Sequence, residues 1–130
     1  MRFETRWRLD PIIPVEGWKD IYRGFLEEAS KHRPRRITLG IYRQMGTGLK
    51  AFSKKWGLQP MAWKPPVELR KDGGLHYQLP RSMKISIYQE IKTMICDVWP
   101  SCAGPQLALC KETSEVRIAS GLSGRHCNCE

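Results

Sequence analysis

The chain has 130 residues, 41% of them hydrophobic, which is enough for the core of one domain or of a piece of a larger one. Its apolar runs are only a few residues long and nothing resembles a signal peptide, which argues against a membrane span and points to a cytoplasmic protein. The net charge of +9 is uneven: residues 44–84 carry eight basic and two acidic side chains, residues 85–130 four and five. The middle third is therefore the electropositive part, suited either to phosphate-rich partners or to a solvated face. Cys96, Cys102, Cys110, Cys127 and Cys129 are odd in number, and no secretory signal accompanies them, so a disulfide framework is the weaker reading.

In chain order, Arg6–Asp10 alternates charged and apolar residues with Trp7 and Leu9 on one face, the period of a half-buried strand. Pro11 and Pro14 are expected to stop its pairing. A strand so near the start needs neighbours for its edges, a first hint of further chain upstream. Residues 17–33 read as a helix with Trp18, Ile21, Tyr22, Phe25 and Leu26 inward, ended by Pro34, with His32 and Arg33 in the last turn.

The stretch Arg36–Arg43, RITLGIYR, organises the rest. It reads as a buried strand with its functional end at Gly40–Arg43, where Gly40 leaves room for close approach by a backbone or ligand. Strand, helix, strand at this length is a βαβ unit with parallel strands. The crevice beyond the carboxyl ends, where such folds bind ligands, would hold Asp10–Pro14 and Tyr42–Arg43. Arg8, Asp10 and Arg43 could pair there with one another as a structural ion pair, or grip a polar ligand.

Residues 44–57 read as a second helix, with Thr47 as a cap, Leu49, Phe52 and Trp56 inward and Gly57 at the end. Proline-rich residues 58–68 read as an irregular connection. In it Trp63 beside Lys64 suits base stacking next to a phosphate contact, or a tryptophan tucked into the surface. Residues 67–79 look like a hairpin turning at Asp72-Gly73 or Gly73-Gly74, with Arg70 and Lys71 displayed and Tyr77 alternating with His76. Residues 81–98 form a third helix by the spacing of Met83, Ile87, Ile91, Met94, Ile95 and Val98; Ser82 is its candidate cap and Cys96 a small buried residue. Gln106–Cys110 is a short apolar strand, and Ser114 caps a last helix over residues 115–121 covered by Val116, Ile118 and Ala119.

No pair of carboxylates compels acid–base chemistry: Asp10, Glu16, Glu68 and Glu112 lie in different segments. The MGTG at 45–48 lacks the lysine of a phosphate-binding loop. The tail at 125–130 places His126, Cys127 and Cys129 where zinc ligands could arise with Cys110 or Cys102, but the Cys127–Cys129 gap is tighter than structural zinc sites use, and no metal ligand is assigned.

The run RLDPIIPVEGW, then TLGIYR, then LRKDGGLHYQLP, then LALCKETSEV with a CNC tail, resembles the carboxyl-terminal part of spore photoproduct lyase-like proteins. These are radical SAM enzymes related to DNA photoproduct repair. The resemblance covers nearly the whole chain, with four motifs in the same order. It implies an α/β fold: the late strands and helices of a partial (β/α) barrel of the radical SAM type, as one incomplete domain over residues 1–130, with a basic β-hairpin inserted at about 67–79.

In such proteins a 4Fe–4S cluster cleaves S-adenosylmethionine to a 5′-deoxyadenosyl radical, and the iron ligands come from an amino-terminal CxxxCxxC motif. This sequence lacks that motif, so the chain alone is expected to hold no cofactor and to be inactive; the cluster and S-adenosylmethionine belong to a full-length parent. The amino-terminal half of the barrel is then a partner in cis or in trans. The resemblance sets Arg8, Asp10, Pro11, Tyr42 and Arg43 near cofactor and substrate. It sets Trp63, Lys64, Arg70, Lys71, His76 and Tyr77 toward DNA. The alternative is a small basic nucleic-acid-binding module without catalytic activity.

Overall fold

A computed structural model describes residues 3–45, 54–57, 70–71, 76–100 and 104–122 of the chain. In chain order the elements are β1 (Arg6–Ile12), α1 (Trp18–Ala29), β2 (Arg36–Ile41), β3 (Arg43–Met45), β4 (Arg70–Lys71), β5 (His76–Gln78), α2 (Arg81–Val98), β6 (Gln106–Leu109) and α3 (Ser114–Ala119). A helical turn also lies at 54–56. The fold is mixed α/β. One sheet is wholly parallel in the order β1-β2-β6; a second, small and antiparallel, has the order β3-β5-β4.

The parallel register aligns Trp7, Ile37 and Leu107, and again Leu9, Leu39 and Leu109. Side chains at aligned positions share a face. This apolar face meets Leu26 and Ala29 of α1 and Ile87, Ile91, Met94 and Ile95 of α2 in one core. The helices pack on each other, tied at the surface by Lys19–Glu90 at 2.8 Å and Arg23–Asp97 at 3.3 Å. Both crossover helices therefore cover the same side of the sheet.

β1 runs farther than its prolines suggest. Pairing continues past Pro11 to Ile12, opposite Ile41, after an irregularity following Leu9. Among the described residues β1 is an edge strand, and an edge strand can take a residue without an N–H. β2 stops at Ile41, and Arg43 opens β3 in the second sheet, so RITLGIYR is two strands. Gln44 and Met45, expected in a helix, are strand residues paired with Tyr77 and His76. This is long-range pairing that local propensity does not encode. The hairpin expectation is met by the antiparallel pairing of β4 with β5; its turn lies outside the described residues.

α1 ends at Ala29, not at Arg33. The amides of Lys31 and His32 bond carbonyls three residues back, at 3.3 and 3.0 Å, tightening the chain out of the helix. His32 then packs edge-on against Trp7, and its carbonyl accepts from Trp99 Nε1 at 3.0 Å. The inward stripe is Trp18, Tyr22, Leu26 and Ala29, while Ile21 and Phe25 stay exposed.

α2 spans the expected residues but starts after Pro80 with no side-chain cap, and Cys96 is exposed rather than buried. The cap of α3 is Thr113, whose Oγ1 accepts from the Val116 amide at 3.3 Å; Ile118 gives no cover, being 68% exposed. Trp56, expected inward, is exposed, and Gly57 ends its turn with φ +62°. Thr47, Leu49 and Phe52 lie outside the described residues, as does the tail with His126, Cys127 and Cys129. Among the described residues, no helix is long and apolar enough to cross a membrane.

Candidate functional site

The opposite face of the parallel sheet is built from a different set. Arg8 aligns with Thr38 and Ala108, and beyond them come Asp10, Gly40 and Cys110. Neighbouring strands lie about 4.8 Å apart, so a side chain bridging the outer strands must cross roughly 10 Å of β2. Arg8 does so. Its Nη2 bonds Asp10 Oδ2 at 2.7 Å on its own strand and Cys110 Sγ at 3.1 Å just past β6. The crossing needs small residues beneath, and β2 supplies Thr38 and Gly40.

Gly40 has a specific reason to be glycine. A Cβ there would lie 2.6–2.8 Å from the Asp10 carboxylate. The expected close approach at Gly40 is thus made by a side chain of the neighbouring strand. The hydrogen bond to Asp10, and after it the one to Cys110, raise the Arg8 pKa above its ordinary value, so the guanidinium is a fixed cation.

At the carboxyl ends of the three strands opens a cleft of about 450 Å³ lined by Arg8, Asp10, Pro11, Ile41, Tyr42, Arg43, Cys110 and Lys111. Arg8, Asp10, Pro11, Tyr42 and Arg43, singled out in the sequence, are all brought together in it. The Tyr42 amide bonds Ile12 O at 3.0 Å, which holds the β1 and β2 ends in step. Arg43 turns back from the second sheet and donates to Cys110 O at 2.8 Å. Of the DNA-facing candidates, Trp63 and Lys64 lie outside the described residues. Arg70, Lys71, His76 and Tyr77 belong to the antiparallel sheet, and Tyr77 is part-exposed.

Sequence reasoning missed what lies beside the cleft. Lys84 and Glu112 form an ion pair at 2.8 Å whose side chains are 8% and 2% exposed. Lys84 Nζ also donates to Gln78 Oε1 at 3.0 Å, and Tyr88 donates its hydroxyl to Glu112 Oε1 at 2.8 Å. The Tyr88 oxygen in turn accepts from the Ile41 amide at 3.3 Å, and Glu112 O accepts from Arg117 Nε at 3.2 Å. Burial first, and then the Glu112 charge, push the Tyr88 pKa well above its ordinary value, so it stays a neutral donor. This network fastens α2 and α3 to the strand ends. One signal could have revealed it: Lys84 sits in the helical stripe with Ile87, Tyr88 and Ile91, where a cation calls for a buried anion.

A second cavity of about 310 Å³ opens at the outer edge of β1, lined by Arg6, Trp7, Arg8, Leu9, Phe25, Leu26 and Ile37. Among the described residues, no three of histidine, cysteine, aspartate and glutamate converge as a metal site would require. Comparison with known proteins finds no matching family model, no similar curated protein and no similar solved structure.

Proposed function

We propose that this chain is the carboxyl-terminal part of a spore photoproduct lyase-like radical SAM protein, a late segment of its partial (β/α) barrel. The observation that carries the reading is the division of the parallel sheet. Among the described residues, three strands lie in chain order, α1 and α2 cover one face, and the other face is polar or small with Arg8 laid across it. That is the winding of a barrel wall, with helices outside and ligand-facing residues inside. A doubly wound sheet would carry helices on both faces.

The edge of β1 supports the same reading. Trp7 and Leu9 are only partly buried, Ile21 and Phe25 are exposed, and Trp7, Leu9 and Phe25 line the groove of about 310 Å³. A preceding strand and helix would pair that edge and cover those side chains. In this account the amino-terminal half of the barrel, in cis or in trans, brings CxxxCxxC and with it the 4Fe–4S cluster. The described cysteines do not fit that role: Cys96 is exposed on α2, and Cys110 is buried against Arg8. The radical chemistry therefore belongs to the whole protein, where DNA photoproduct repair is the activity the family suggests. This chain contributes the strand ends that hold a ligand.

The test is the coding sequence upstream together with what co-purifies. We expect CxxxCxxC either in the same frame or on a separate chain bound to this one. If neither is found, or if this chain alone takes up iron and sulfide into a stable 4Fe–4S cluster, the reading fails.

A further inference from the structure

Among the described residues, the charges in the strand-end cleft do not balance. Arg8 and Asp10 neutralise each other at 2.7 Å. Arg43 spends a hydrogen bond on the neutral Cys110 carbonyl and has no carboxylate partner among the described residues. Lys111 lines the same cleft, and among the described residues its ammonium has neither an ion pair nor a hydrogen bond. Among the described residues, two cations are thus left without a counter-charge.

Lys111 is also held in a backbone conformation that its side chain disfavours, with φ +51°. Both neighbours dictate it. Cys110 is fixed by its amide to Leu39 O at 2.8 Å and by Arg43 on its carbonyl. Glu112 is fixed in the opposite sense by Lys84, Tyr88 and Arg117. The chain must reverse between them, and glycine would do so with less strain. What lysine adds at this point is its charge, displayed at the cleft.

We propose that the cleft binds a phosphomonoester dianion between the Arg43 guanidinium and the Lys111 ammonium, and that Lys111 determines this charge selectivity. Two uncompensated cations match two negative charges on one group, and guanidinium is well shaped to grip phosphate oxygens. The same balance disfavours S-adenosylmethionine at this spot, because its sulfonium makes it cationic overall. The cleft then takes an anionic ligand distinct from that cofactor and from a DNA backbone, whose phosphates are singly charged diesters. The inference rests on the cleft alone, so its failure would leave the family reading to its own test.

The experiment is calorimetric titration of the chain with inorganic phosphate, methyl phosphate, dimethyl phosphate and succinate, at about pH 8, where the monoester is dianionic, and at constant ionic strength. Phosphate and methyl phosphate should saturate one site. Lys111→Ala and Lys111→Gly should each weaken them about tenfold or more. Lys111→Gly should melt about 3 °C higher, so its loss of affinity cannot come from unfolding. Lys31→Ala, an exposed lysine beyond the end of α1, should change nothing. The proposal is overturned if neither phosphate saturates, if dimethyl phosphate or succinate binds as tightly, if Lys111→Ala keeps full affinity, or if Lys111→Gly loses stability.

Discussion

On one face of the parallel sheet Trp7, Leu9, Ile37, Leu39, Leu107 and Leu109 meet two helices; on the other the same three strands carry Arg8, Asp10, Thr38, Gly40, Ala108 and Cys110. Strand alternation alone separates the two sets. The first face follows from burying apolar area, at roughly 25 cal/mol for each Å² removed from water. The second cannot be explained that way, since a guanidinium laid across a glycine and a threonine excludes the large apolar side chains a core would use. A sheet needs only one apolar face to fold, and here the other is given over to charge and small residues. The Lys84–Glu112–Tyr88 network joins the two, because it anchors the helix side to the strand ends that form the cleft.

Substitutions should separate the faces by the size of their effect on folding. The largest is Lys84→Met, which leaves the Glu112 carboxylate buried without its cation. Urea unfolding should show a loss of about 3–5 kcal/mol. A loss under about 1 kcal/mol would mean that the network does not hold the helix side in place. Gly40→Ala comes next. Its Cβ would meet the Asp10 carboxylate at 2.6–2.8 Å, and that side chain can swing aside. Stability should fall by about 1 kcal/mol while the Arg8–Asp10 pair is displaced, visible as a shifted Asp10 carboxyl resonance. An unshifted resonance would remove the close packing from the account.

The smallest effect concerns pH. Tyr88 keeps its proton in the folded chain, whereas the unfolded chain releases it from about pH 10. Its contribution is full below that pH and is lost as pH rises further. Between about pH 10 and 11 the wild type should therefore lose more stability than Tyr88→Phe. Parallel pH profiles for the two proteins would contradict the burial of the phenol against Glu112.

Much of the fold was legible because it is local. The apolar period over 81–98 marked α2 to the residue, and the strand–helix–strand spacing gave β1 and β2 in parallel. That was also enough to bring Arg8, Asp10, Pro11, Tyr42 and Arg43 to one edge. What escaped depends on distant partners. Gln44 and Met45 are extended because β5 pairs with them, thirty-odd residues on. Pro11 remains in a strand because only one side of β1 pairs among the described residues. Lys84 stands out in its apolar stripe, but nothing near it in the sequence names Glu112 as its partner. Cys110 and Lys111 joined the cleft because β6 docks beside β2, which no residue near them announces.

The most direct measurement uses one variant, Arg43→Gln, read for urea stability and for phosphate affinity on the same preparation. Arg43 stands where the two faces meet, and its charge is assigned to ligand rather than to fold. The account predicts a loss of stability below about 1 kcal/mol and a fall in phosphate affinity of about tenfold or more. Unchanged affinity, or a stability loss as large as that of Lys84→Met, would contradict it.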